Sequence, residues 1–170
     1  WSIQDLDEAV LRGSHPSAQD PVAAKCCCDE ALEKVEQGFV KLVPWKQIRA
    51  DLIANPTLLK GVKISPIAAI PHKSRQFRMI LDLSAKGRRG RPSVNESTVK
   101  ELAPQQAMAE LGNVLPRCVQ LLADADPNKG PVLMMCADIK DGFWRMKHQH
   151  DQDMEFAYVL PATSPEEEPM

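Results

Sequence analysis

The stretch Pro131 to Ile139, PVLMMCADI, constrains this chain more than any other. It is a continuous apolar run that ends at Asp138 and follows the loop-forming segment DADPNKG. Length and flanks read as a β-strand buried on both faces, because a half-exposed strand would alternate polar and apolar residues. Such a strand expects a neighbour on each edge and a packed layer above and below. The class that supplies both is α+β or mixed α/β. The longest useful apolar stretch within it, Val132 to Ala137, is far below the roughly 20 residues that span a bilayer, so no membrane partner is expected. With 170 residues and 44% hydrophobic positions the chain can bury a core of its own.

The N-terminal part reads as helical after an irregular start. Weak periodicity and the turn residues Gly13, Ser14 and Pro16 predict mostly irregular structure from Trp1 to Asp20. Asp20 can then cap a helix with Pro21 in its first position. Leu32, Val35, Phe39 and Val40 keep helical spacing and are expected to form its apolar face. A second helix is predicted from Trp45 to Ile53, with Trp45, Ile48 and Leu52 on one side and Asn55-Pro56 as its stop. From Val62 the pattern turns extended. Ile64 to Ile70 and Phe77 to Leu83 read as two strands, and the short PHKSRQ between them predicts a hairpin. A basic loop, AKGRRGRPS, follows. Helical spacing returns from Gln106 to Leu122, with Ala107, Met108, Leu111, Leu115, Cys118, Val119 and Leu122 on one expected core face and a break near Gly112 and Pro116. Glu155 to Leu160 reads as a last extended piece before a disordered acidic tail, TSPEEEPM. The expected organisation is therefore residues 1–60 as an irregular segment with helices, 61–161 as the main domain, and 162–170 as tail.

Charge is unevenly spread. The whole chain carries 21 basic and 23 acidic residues, yet His72 to Arg91 holds seven basic residues, Lys73, Arg75, Arg78, Lys86, Arg88, Arg89 and Arg91, against the single acid Asp82. Such a hairpin and loop can bind a polyanion, a nucleic-acid backbone or a nucleotide triphosphate; charge alone fits a solvated surface loop equally well. Five cysteines, Cys26, Cys27, Cys28, Cys118 and Cys136, form no CxxC pair, which argues for reduced packing residues over a zinc site or disulfide framework. His148 and His150 alternate as on a strand and read as an exposed pair. The opening WSIQDLDE carries three acids and no base, the opposite of a secretory signal. An intracellular protein, cytoplasmic or nuclear, is expected. The start at Trp1 in place of Met reads as a piece of something longer.

The chemistry-bearing segment is ADIKDGFWRM, Ala137 to Met146. A buried strand would deliver Asp138 at its carboxyl end with Asp141 three positions on. Carboxylates so placed suit a hard cation such as Mg²⁺, which takes oxygen ligands. On this stretch alone the commoner reading is that Asp138 caps the turn after the strand and Asp141 faces solvent, because aspartate is frequent in turns.

Four separated segments occur in an order that resembles the fingers and early palm of a retroelement-type reverse transcriptase. They are KISPIAAIPHKSRQFRMILDLS, SVNEST, ADIKDGFWRM and FAYVLP, covering about residues 61 to 161. Ser65-Pro66-Ile67, Lys73, Phe77-Arg78 and Asp82 match the strand, lysine and aromatic-Arg pattern of that family. Asn95 and Thr98 resemble its Leu-Asn…Thr segment, with Val94 in place of Leu and the basic loop inserted before it. Asp138 to Phe143 resembles its first carboxylate motif, and Phe156 to Pro161 the strand that family members end with Leu-Pro-Phe-Gly.

The resemblance implies an RNA-directed DNA polymerase with a basic β-hairpin and an incomplete palm sheet. Lys73 and Arg78 would bind the triphosphate of an incoming deoxynucleoside triphosphate. Asp138 and the Ile139 carbonyl would hold catalytic Mg²⁺, two ions in the complete enzyme. Asp141 and Gly142 would lie near the nucleotide. Phe143 would exclude a 2′-hydroxyl and so favour deoxynucleotides. Arg88, Arg89 and Arg91 would contact an RNA or DNA template-primer. The family's aromatic-x-Asp-Asp motif does not occur in the 170 residues, and Ala162-Thr163 stands where Phe-Gly is expected. The implied protein is a fragment, inactive alone without the remaining palm and thumb; the alternative is a nucleic-acid-binding remnant without chemistry.

Overall fold

The computed structural model describes residues 1–103, 105–133, 135, 137–146 and 154–162. The architecture is α+β, as the patterning implies: helices with two small sheets. The chain divides into two units, one of Trp1–Ser97 with Trp144–Met170, the other Thr98–Phe143.

The first unit opens on a helix that the turn residues concealed. Helix α1 (Ile3–Arg12) replaces the expected irregular segment. Ser2 and Asp5 form a capping box: the Ser2 hydroxyl accepts from the Asp5 N–H while the Asp5 carboxylate accepts from the Ser2 N–H at 2.7 Å. Leu6, Ala9 and Val10, at i, i+3 and i+4, make its buried stripe. Gly13, which reads as a loop residue, is the stop of this helix, in the left-handed region at φ 65° with its N–H bonded to the Ala9 and Val10 carbonyls.

Helix α2 (Pro21–Glu36) starts as expected, with the Asp20 carboxylate accepting from the Val22 and Ala23 N–H groups. Its buried face differs from the expected one. Ala23, Cys27 and Ala31 are buried, whereas Leu32 is 44% exposed and Phe39 and Val40 lie past the helix end. Small residues four apart let the helix backbone lie close against a sheet; the larger Leu32 falls off that stripe. Helix α3 (Trp45–Ala54) agrees with its expected span, and Trp45, Ile48 and Leu52 pack together on one side.

Strand β1 (Ile64–Ser65) precedes the predicted hairpin, β2 (Ile67–Pro71) and β3 (Phe77–Leu81), which pair antiparallel with Ile70 opposite Arg78. Two cores result in this unit. Leu6, Val10, Leu52, Val62, Ile64 and Val159 form one; Ala18, Cys27, Ala31, Ile67, Ala69 and Met79 form the other, with Trp144 and Tyr158 packed against it. After the hairpin comes a short helix α4 (Val94–Ser97).

The second unit holds α5 (Gln105–Gly112) and α6 (Val114–Ala123), separated at Asn113 next to the expected break at Gly112. Pro116 sits within the first turn of α6, where its missing N–H breaks no helical bond. Their expected core face is not covered: Leu111, Leu115, Val119 and Leu122 are all more than half exposed.

The buried strand expected at Pro131–Ile139 is not found among the described residues of that stretch. They carry no strand pairing and are exposed, Leu133 at 87% and Met135 at 92%. No strand occurs among the described residues of this unit, so none of them offers the run an edge on which to satisfy its backbone groups. The expected piece at Glu155–Leu160 contains β4 (Ala157–Tyr158), in the first unit, which pairs parallel with β1. His148, His150, Cys136 and the tail from Thr163 lie outside the described residues. Among the described residues no helix is long and apolar enough to cross a membrane.

Candidate functional site

The two cations expected at a triphosphate lie at one end of the hairpin. Lys73 is in the turn between β2 and β3, and Arg78 is the second residue of β3. Alternation along β3 buries Met79 against α2 and leaves Arg78 exposed on the opposite face. The turn is held by the His72 ring, whose Nδ1 accepts from the Ser74 N–H. Arg75, between the two, pairs with Glu30 at 3.4 Å, and Glu30 also accepts from the Met79 N–H. Glu30 thereby ties α2 to the hairpin.

The basic loop is less basic than its sequence. Lys86 pairs with Glu96 at 2.6 Å, Arg88 with Glu8 at 2.7 Å, and Arg91 lies 4.0 Å from Asp5. Together with Arg75, four of the seven basic side chains face an acid of the same chain. Among the described residues Lys73, Arg78 and Arg89 take part in no ion pair. Arg89 stands at the apex in the left-handed region, φ 53°, in a loop closed by the Gly87 N–H donating to the Arg91 carbonyl. Trp1 covers the base of this loop. Its Nε1–H donates to the Pro92 carbonyl at 3.0 Å, and a Cβ on Gly87 would meet the indole at 2.8 Å, which only glycine avoids. A recess of about 290 Å³ lies between α1 and the loop, lined by Asp5, Glu8, Arg12 and Arg88.

Asp5 is buried within this arrangement. Burial pushes its carboxyl up, but hydrogen bonds from the Ser2 hydroxyl and N–H, with the charge of Arg91, hold it below the usual carboxylate range. Asn95 is a staple here: its N–H donates to the Leu83 carbonyl and its side-chain amide to the Ser84 hydroxyl. Asp82 accepts from the Ser84 N–H and turns the chain at the end of β3.

The carboxylate motif lies in the second unit. Asp138 is exposed in irregular chain, not at the end of a strand. The Ile139 carbonyl accepts from the Gly142 N–H at 2.9 Å, closing a turn in which Asp141 adopts φ 57°, a conformation aspartate tolerates. Phe143 is 53% exposed. Among the described residues no three His, Cys, Asp or Glu side chains gather as a metal site would require. Asp138 brings one carboxylate where a two-metal centre takes several, so the described donor set does not fit a pair of Mg²⁺ ions.

Sequence reading missed Glu8, Asp5 and Trp1, the groups that hold the basic loop. The Ser2-x-x-Asp5 spacing was a usable signal for α1, but nothing local links Glu8 to Arg88 across eighty positions. Comparison with protein-family models, with curated proteins and with solved structures gives no match to this chain.

Proposed function

We propose that the chain is the fingers and early palm part of a retroelement-type RNA-directed DNA polymerase, with Lys73 and Arg78 as its deoxynucleoside triphosphate contacts. The observation that supports this is the hairpin: the two cations matched by motif order come to the same end of one β-ribbon, and both are exposed. An Arg guanidinium can grip two phosphate oxygens at once, and a turn lysine adds a mobile positive charge beside it. In this reading Asp138, the Ile139 carbonyl, Asp141, Gly142 and Phe143 are the first carboxylate motif. Magnesium chemistry then belongs to a longer parent chain that supplies further carboxylates.

Thermal melts of the chain with and without a deoxynucleoside triphosphate test the reading. Binding to the folded state alone is expected to raise Tm by roughly 2–4 °C per kcal/mol of binding free energy, and Arg78→Ala to remove that rise. An unmoved Tm, or a rise that survives Arg78→Ala, overturns it.

A second reading, a nucleic-acid-binding module without chemistry, is favoured by the exposed Arg89 at the apex of the basic loop. In that reading duplex binding weakens steeply with salt and the triphosphate leaves Tm where it was.

A further inference from the structure

The three arginines of the loop Gly87–Arg91 do not stand in equivalent positions. Arg88 places Nη1 2.7 Å from Glu8 Oε1, and Arg91 places Nε 4.0 Å from Asp5 Oδ2, both on α1. A carboxylate offers a guanidinium the same paired oxygens as a phosphate does. Trp1, bonded to Pro92 and lying over Gly87, holds the loop against the helix that carries those acids. With the loop fastened on both sides, the chain reverses at Arg89, which is forced into the left-handed region and turned outward.

We infer that α1 is a built-in competitor for nucleic acid at this loop: Glu8 occupies Arg88 in place of a backbone phosphate, leaving Arg89 as the arginine presented to a duplex. The inference rests on the nucleic-acid contact proposed above for this loop and adds how it is limited. Arg88 and Glu8 are each close to half exposed, and ion pairs of that kind are weak. Glu8 therefore holds Arg88 back by only a small factor, and Arg88 becomes a second contact once that carboxylate charge is removed. Asp5, already bonded to Ser2, keeps its place as the helix cap.

Fluorescence anisotropy of the whole chain with a short labelled DNA duplex at low salt provides the test. Glu8→Gln is expected to raise affinity by about two- to fivefold, the factor of one half-exposed ion pair. The slope of log affinity against log salt should steepen by about one unit, for one more phosphate contact. Glu36→Gln removes the same charge from an exposed position that pairs with nothing in the loop, and should leave affinity unchanged. Arg88→Ala should have no effect in the native background and should cancel the gain in the Glu8→Gln background. Arg89→Ala should weaken binding in both. The inference is overturned if Glu8→Gln binds no better than the native chain, if neither binds, if Glu36→Gln gives the same gain, or if the gain survives Arg88→Ala. Circular dichroism checks that Glu8→Gln folds, and Glu8→Ala should give the same gain. The result is independent of the triphosphate test, which reads Arg78 on the hairpin.

Discussion

At the scale of single residues, local hydrogen bonding decides how Asp5 behaves. Its carboxylate closes the capping box of α1, and its proton affinity is held down by the Ser2 bonds and the Arg91 charge against the opposing effect of burial. A depressed folded-state value contributes stability that is present above the unfolded value and is lost as pH falls. Thermal melts should therefore show the native chain losing stability more steeply than Asp5→Asn as pH falls into and below the ordinary carboxylate range. At neutral pH, Ser2→Ala, which removes the reciprocal cap, is expected to cost about 1 kcal/mol in chemical denaturation. Cys27 behaves in the opposite sense. Burial first, then the neighbouring Cys28, Glu30 and Cys26, pushes its thiol up to about 11. Mass spectrometry after alkylation near pH 8 should find Cys26 modified while Cys27 reacts only on unfolding. The packing role read for the cysteines holds for Cys27, which is buried in the second core between α2 and β2.

Among the elements, those with strong end signals or short-range pairing were legible in the sequence. Asp20-Pro21 fixed the start of α2, and the short PHKSRQ connection left little choice but the β2–β3 hairpin. Ile67 is completely buried where the hairpin meets α2, so Ile67→Ala is expected to destabilise the fold by about 2–5 kcal/mol, measured by urea unfolding. Helix α1 is masked in the sequence by its flank: Gly13, Ser14 and Pro16 announce a turn, and that signal outweighs the Ser2-x-x-Asp5 capping box upstream. The face of α2 was misjudged because hydrophobicity weights Leu32 and Val35, whereas close approach to a sheet selects Ala23, Cys27 and Ala31. At the candidate site, the exposure of Lys73 and Arg78 follows from strand alternation and turn placement. The pairing of Arg88, Arg91 and Lys86 with acids does not. The opposing charges of Glu8 and Asp5 are distant in sequence, and only the packing of α1 brings them to the loop.

The whole molecule divides unevenly in how much surface it buries. The first unit contains both cores, while α6 in the second has no buried residue and Leu111, Leu115, Val119, Leu133 and Met135 are exposed. Isolated helices of eight to ten residues are marginal in water without tertiary packing. Amides of α5 and α6 should accordingly exchange with deuterium at least about 100-fold faster than those of α2 and β3. Dynamic light scattering should also find concentration-dependent self-association, because exposed apolar surface on this scale is uncommon on monomeric proteins.

The sequence alone determined the elements whose causes are local: the capped start of α2, the span of α3, the hairpin and the break between α5 and α6. Each depends on a few adjacent residues, so no distant partner is needed to place it. Tertiary structure decided whether the described residues of 131–139 paired as a strand and how many charges of the basic loop meet an acid. A strand is stable only if another strand accepts its hydrogen bonds, and a surface charge is available only if no acid from elsewhere in the chain reaches it. Both conditions concern residues far apart in sequence, and folding alone brings them together.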